Sequence, residues 1–237
     1  MRWLSLVALL VVASCVEVVD SGPVSRPAPQ ASARPAPATP SREKVQQFIT
    51  VVQRVEPVAE RECRARAPRL NCDFRIVVDD RPGQPVNAYQ TIDRNGQPIL
   101  AFTLAMIAEV RNPDELAFVM GHEAAHHIAG HIPRQQQNAA TGAILLGGLA
   151  AMSGASQGAV DQAVQLGAGV GARSYSKNFE LEADALGTVI THRAGYNPVR
   201  GAEFFTQIPD PGNRFLGTHP PNTQRLETVR RVAAGLR

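Results

Sequence analysis

The stretch that opens at Asn112 constrains this chain more than any other, because it asks for a buried helix and then places ionisable side chains in the middle of it. Asn112 can cap, Pro113 suits the first helical position, and Glu115 completes a capping-box-like pattern. Apolar Leu116, Phe118, Val119 and Met120 follow, and the helix is expected to run from Pro113 to about His131 and to stop before Pro133. Within it stands His122-Glu123-Ala124-Ala125-His126. Residues four apart lie within ~40° of each other on a 3.6-residue helix, so both imidazoles face one point, with Glu123 beside them. H-E-x-x-H on a helix is a spacing that holds zinc through its two histidines, with the intervening Glu placed to take a proton from the water that zinc activates.

That pair is incomplete without a third protein ligand. The longer pattern H-E-x-x-H-x-x-G-x-x-H fails, because Ala129 and Ile132 stand at its Gly and last His. His131, nine residues after His122, falls on about the opposite face of the expected helix and reads as a poor ligand; His127 is also turned away. Downstream, Phe179-Glu180-Leu181-Glu182-Ala183-Asp184 puts Glu180 and Asp184 four apart on one helix face. One of them can bind the metal while the other holds a ligating His by its second nitrogen.

The first forty or so residues have a different character. Residues 1–14 read as a secretion signal: Arg2 precedes an apolar run from Trp3 to Ala13, too short to span a bilayer, which takes ~20 residues. The run ends in Val12-Ala13-Ser14-Cys15, which resembles the bacterial lipobox and implies a lipidated Cys15. Val16 after it, rather than Asp, implies sorting to the outer membrane; cleavage after Ser14 with a soluble periplasmic product is the alternative. Residues 15–41 form a tether, since 21–41 hold six of the 18 prolines and no large apolar side chain. Such a segment cannot bury enough surface to fold, and at ~3.1 Å per residue it spans up to roughly 60 Å. Once Cys15 carries lipid, Cys63 and Cys72 remain as a pair nine positions apart, and in an oxidising periplasm they are expected to form a disulfide.

Residues 42–237 make one domain. Apolar residues are 44% of the chain but aromatics only 5%, which suits close-packed helices better than a β-sandwich. Beyond residue 44, 19 basic side chains face 18 acidic ones with no basic stripe, which argues against a nucleic-acid partner. Periodicity predicts a helix over 42–66, a strand over 73–79, a hairpin over 88–102 turning at Asn95-Gly96, and a short helix over 103–110. Residues 139–172, rich in Ala and Gly, predict a close-packed helical hairpin over the core rather than a membrane span. Helices near 176–194, 198–207 and 221–235 complete the chain.

At these residues the chain resembles the M48 metallopeptidases. The likeness covers about residues 85–230 and rests on Asn87-Ala88, HEAAHHIAGH from His122 to His131, SYSKNFELEADALG from Ser174 to Gly187 and THPPNTQRL from Thr218 to Leu226. Lys177 stands where Arg is common. The resemblance implies an α+β, mainly helical, zincin-like metallopeptidase domain with a small β-sheet. It also implies Glu180 as the third zinc ligand, with Asp184 as its partner behind a histidine. His219 precedes Pro220-Pro221, which force an extended exit and then suit a helix start. With the resemblance it is expected to face the zinc, either donating to the oxyanion of peptide hydrolysis or occupying the open coordination position as a latch.

The function implied is a zinc endopeptidase of the cell envelope acting on misfolded or stalled envelope proteins, that substrate class coming from the resemblance alone. The competing reading is a chaperone or assembly factor on the same zinc-stabilised scaffold. An intact Glu123 favours the enzyme, since a binder needs no base. A module that recruits substrates is expected to be a partner protein or the Ala/Gly-rich hairpin.

Overall fold

The computed structural model describes residues 39–210, 212, 217 and 219–236. The expected signal, Cys15 and the tether as far as residue 38 lie outside the described residues. Ser41 opens the first helix by accepting a hydrogen bond from the Lys44 N–H, and α1 (Arg42–Arg66) buries Phe48, Val51, Val55, Val58 and Ala59 along one face.

A three-stranded sheet follows: β1 (Arg75–Asp79), β2 (Ala88–Ile92) and β3 (Pro98–Thr103). The order is β1-β3-β2, with β1 parallel and β2 antiparallel to β3, so β2 is an edge strand. The hairpin turns at Asn95-Gly96, where Gly96 takes φ 81° and the Asp93 carboxylate accepts from the N–H groups of Asn95 and Gln97. The strand expected over 73–79 begins only at Arg75. Two residues before it are held otherwise, since the Asp73 N–H donates to the Asn71 side chain and Cys72 is disulfide-bonded to Cys63, with Cα atoms 5.6 Å apart. That bond ties the loop entering β1 to the last turns of α1. Phe102 of β3 meets Phe48 of α1 edge-on at 5.4 Å, near the centre of the core.

Thr103 caps α2 (Leu104–Glu109), and Asn112 caps α3 (Pro113–Ile128) by accepting from the N–H groups of Asp114 and Glu115. The fully buried Glu115 reaches back to the Arg111 N–H at 2.7 Å, one residue earlier than in the usual capping box. This helix ends sooner than the sequence suggested. Gly130 takes φ 64°, a left-handed turn that stops α3 after Ile128, and Pro133 falls in the first turn of the next helix, where a missing N–H leaves no bond unmade. His131 therefore opens α4 rather than closing α3.

Helices α4 (His131–Met152) and α5 (Gln157–Ser174) form an antiparallel hairpin in which Gly142 meets Gly167 so closely that a methyl on either would collide with the other's backbone carbonyl. Its outer surface exposes Ile144, Leu145, Leu149, Met152 and Leu166. Among the described residues no helix is long and apolar enough to cross a membrane. Helix α6 (Ser176–Arg193) returns to the core and crosses α3 at a pair of glycines. A Cβ at Gly187 would lie 2.9 Å from the His122 nitrogen, and one at Gly121 2.9 Å from the Gly187 carbonyl oxygen, so the two helices meet backbone to backbone. The segment expected as one helix over 198–207 is split into α7 (Pro198–Gly201) and a 3-10 turn (Ala202–Thr206), and α8 (Asn222–Ala234) lies over them and α6. The whole is the mainly helical α+β domain with a small sheet that the sequence implied.

Candidate metal centre

The crossing at Gly121 and Gly187 brings one face of α3 against the face of α6 that carries Glu180 and Asp184. His122 Nε2 and His126 Nε2 lie 3.0 Å apart, and the Glu180 carboxylate oxygens lie 3.7 Å from the first and 3.4 Å from the second. All three donors fall within 4.8 Å of one another. In a tetrahedral zinc site with bonds of ~2.0–2.1 Å, ligand atoms are about 3.3 Å apart, so this triangle has the size such an ion requires.

The hydrogen bonds behind the donors point the same way. Asp184, fully buried, lies 2.9 Å from His122 Nδ1, which leaves Nε2 directed at the cluster. His126 Nε2 faces it across 3.0 Å, and two nitrogen lone pairs at that distance repel unless positive charge lies between them. A proton on His122 satisfies the two nitrogens alone; a divalent cation satisfies them and Glu180 together. Burial draws the His122 pKa down, but the hydrogen bond and charge of Asp184 more than offset it, so the net shift is upward. Burial and then the neighbouring His122 hold His126 down at about 3, a neutral ligand at any physiological pH. Burial opposes ionisation of Glu180, yet the hydrogen bond with His219 and the charges of His122 and Arg225 outweigh it and keep the carboxylate charged.

Glu123 sits half-buried next to His122, on the wall of the same cleft as Gln90 of the edge strand β2. Burial pushes its pKa up to about 7, which suits a group that accepts and returns a proton near neutrality. The cluster opens on a cleft of about 490 Å³ walled by Ala88 and Gln90 of β2, Phe179 of α6 and Phe205 of the 3-10 turn. His219 stands at its rim, about half exposed, with Nδ1 3.1 Å from Glu180 Oε2.

Two residues that sequence reasoning gave no role complete the arrangement. Arg225 of α8 is 5% exposed and grips Asp184 with two bonds, Nε to Oδ2 at 2.8 Å and an Nη to Oδ1 at 2.7 Å. Its guanidinium lies 3.8 Å above the Phe205 ring and 3.4 Å from Glu180 Oε2. His131, set aside as lying on the far face of an unbroken helix, instead places Nδ1 2.8 Å from His126 Nδ1 once the chain turns at Gly130. His127 does point away: its Nε2 donates to the Asn71 carbonyl at 2.8 Å, and its ring meets Phe74 edge-on. Gly130 was the available signal for His131, whereas nothing local marks Arg225 as a buried cation.

Compared with known proteins, residues 46–233 match the profile of peptidase family M48. The chain belongs to that family. Curated relatives of this M48 chain carry the name beta-barrel assembly-enhancing protease. The Yersinia pestis protein is 29% identical over 191 residues, which cover 71% of this chain and 36% of that protein. The Escherichia coli O157:H7 protein is 30% identical over 148 residues, covering 53% and 28%. One from Vibrio cholerae, named a putative member, is 29% identical over 129 residues, covering 52% and 26%. This M48 chain thus spans about a third of the length of the relatives it matches.

Proposed function

We propose that this protein is a zinc-dependent endopeptidase of the bacterial cell envelope that hydrolyses misfolded or stalled envelope proteins. The observation that carries the reading is the triangle of His122, His126 and Glu180 with the half-buried Glu123 carboxylate beside it, on an open cleft. Zinc held by these three side chains supplies Lewis-acid activation of water and of the peptide carbonyl. The chain's own residues do the rest. Glu123 takes the proton of the attacking water and returns it to the leaving nitrogen. Asp184 fixes the ring of His122, and Arg225 fixes Asp184. The purified protein should bind one zinc per chain and cut fluorescein-labelled unfolded casein, with activity lost to a chelator and restored by one equivalent of zinc. Cleavage that continues in the chelated protein would overturn the reading. An assembly role has support in the relatives' name, and the same site serves it if cutting is rare.

His219 is the restraint on this site in our reading. Its Nδ1 bonds one oxygen of Glu180, and it lines the same cleft, so it would be within reach of an ion held by the three donors. A His219→Ala variant is then expected to cut casein faster than wild type. A fall of ~10²–10³ would assign it instead to stabilising the oxyanion, and an unchanged rate with unchanged zinc affinity would leave it without either role.

The address follows from Val12-Ala13-Ser14-Cys15. In this reading Cys15 carries lipid and holds the domain at the periplasmic face of the outer membrane. Cys15→Ser protein should then appear in the soluble fraction or keep its signal uncut, and membrane extraction like that of wild type, with normal processing, would count against an anchor.

A further inference from the structure

The hydrogen bonds that lead away from His126 run to the surface. His126 Nδ1 meets His131 Nδ1 at 2.8 Å, and His131 Nε2 meets Glu182 Oε2 at 3.2 Å. Arg134 then donates to the same Glu182 oxygen at 2.8 Å. The direction of each bond can be worked out from the outside inward. A carboxylate only accepts, so His131 Nε2 carries the hydrogen given to Glu182. With that hydrogen on Nε2, the Nδ1 of His131 is left to accept from His126. The one proton between the two Nδ1 atoms therefore belongs to His126. With Nδ1 protonated, neutral His126 has its lone pair on Nε2, the atom directed at His122 and Glu180.

The ring of His131 is also held in place. It stacks on Phe179 at 4.6 Å with the planes 13° apart, and the Arg134 guanidinium lies 4.4 Å from the centroid of the same Phe179 ring. Phe179 directly precedes Glu180. His131 and Arg134 lie in the first turn of α4, and Phe179 and Glu182 near the start of α6, so one small cluster joins the turn after α3 to the helix that carries Glu180.

We propose that His131 is a positioning residue for the metal centre, which, acting with Glu182, fixes the tautomer and ring orientation of His126 so that its Nε2 is presented as a ligand. A histidine here fills the place that a carboxylate, Asp184, fills behind His122. The two rings are thus oriented by unlike partners, one a carboxylate and one an imidazole.

The proposal rests on the reading of His122, His126 and Glu180 as metal ligands, and the test separates the two. Zinc affinity of the full protein is measured by competition with a chromogenic chelator, with the unfolding midpoint of each metal-free variant as a control for folding. His131→Phe keeps the stack on Phe179 but cannot accept from His126, and it should bind zinc ~10–100-fold more weakly than wild type. His131→Asn puts a carbonyl oxygen close to the place of Nδ1, and it should recover most of that loss. Glu182→Leu, a substitution at a half-exposed position, should weaken binding severalfold without lowering the metal-free midpoint. Zinc affinity of His131→Phe within twofold of wild type, or equal weakness in the Phe and Asn variants, would overturn the proposal while leaving the ligand set standing. Absence of zinc binding by the wild type would overturn both.

Discussion

Replacing Glu123 by Gln is expected to lower casein hydrolysis by about 10²–10⁴ while leaving one zinc bound per chain. The substitution is nearly isosteric, so the packing around position 123 survives. None of the three donor side chains is altered, nor are Asp184 and His131 behind them. What is lost is the ability to hold a proton between the attack of water and the departure of the amine. Metal content by mass spectrometry and cleavage rate on the same preparation check both halves of the statement. A variant that keeps its zinc and still cuts at the wild-type rate would remove Glu123 from the chemistry. The same variant weighs hydrolysis against assembly, because restoration of envelope function by Glu123→Gln in cells lacking the protein would mean that cutting is dispensable.

Arg225→Ala is expected to destabilise the domain by about 3–5 kcal/mol, the size of effect seen when one partner of a buried ion pair is removed and the other stays. Asp184 has no exposed surface, and Arg225 covers both of its oxygens from a position that is itself buried. Truncation also leaves a gap over the Phe205 ring. Arg225→Lys should recover only part of the loss, since an ammonium offers one point of charge where the guanidinium offers two parallel donors and a flat face. Urea unfolding of the metal-free proteins measures the difference. Zinc affinity should fall as well, because Asp184 freed from Arg225 no longer holds His122 Nδ1 in one place. A loss below about 1 kcal/mol would show that Asp184 finds another partner or takes up a proton, and would move the stabilising role elsewhere.

What the sequence revealed was what lies within a few residues of itself. The Asn112–Glu115 cap, the Asn95-Gly96 turn and the spacing of His122 and His126 are all local, and each is visible in the structure where the pattern put it. Glu180 and Asp184 were legible as a pair on one helix face, although the residues alone did not say which one joins His122 and His126 in the cluster. The misplacement of His131 has a definite cause. A helix drawn on through Gly130 turns that side chain away, whereas a single left-handed residue turns it back onto His126. Arg225 lies forty-one residues beyond Asp184, and only the packing of α8 on α6 joins them, so no periodicity could pair the two. The division of residues 198–206 into a helix and a 3-10 turn likewise depends on how α7 packs on α3 and α8.

The hairpin of α4 and α5 separates His126 from Glu180 in the chain, yet beyond its first turn and its base it gives nothing to the cluster. Its helices are fastened to each other through Gly142 and Gly167 rather than to the ligands. The chain between the donors therefore behaves as an insertion whose length is free. Doubling a flexible connection adds only about 0.6 kcal/mol of closure entropy, so stretches of very different size and surface can be exchanged at this point while three side chains keep their places. A chain of this topology can thus carry a different insertion here without moving His122, His126 or Glu180.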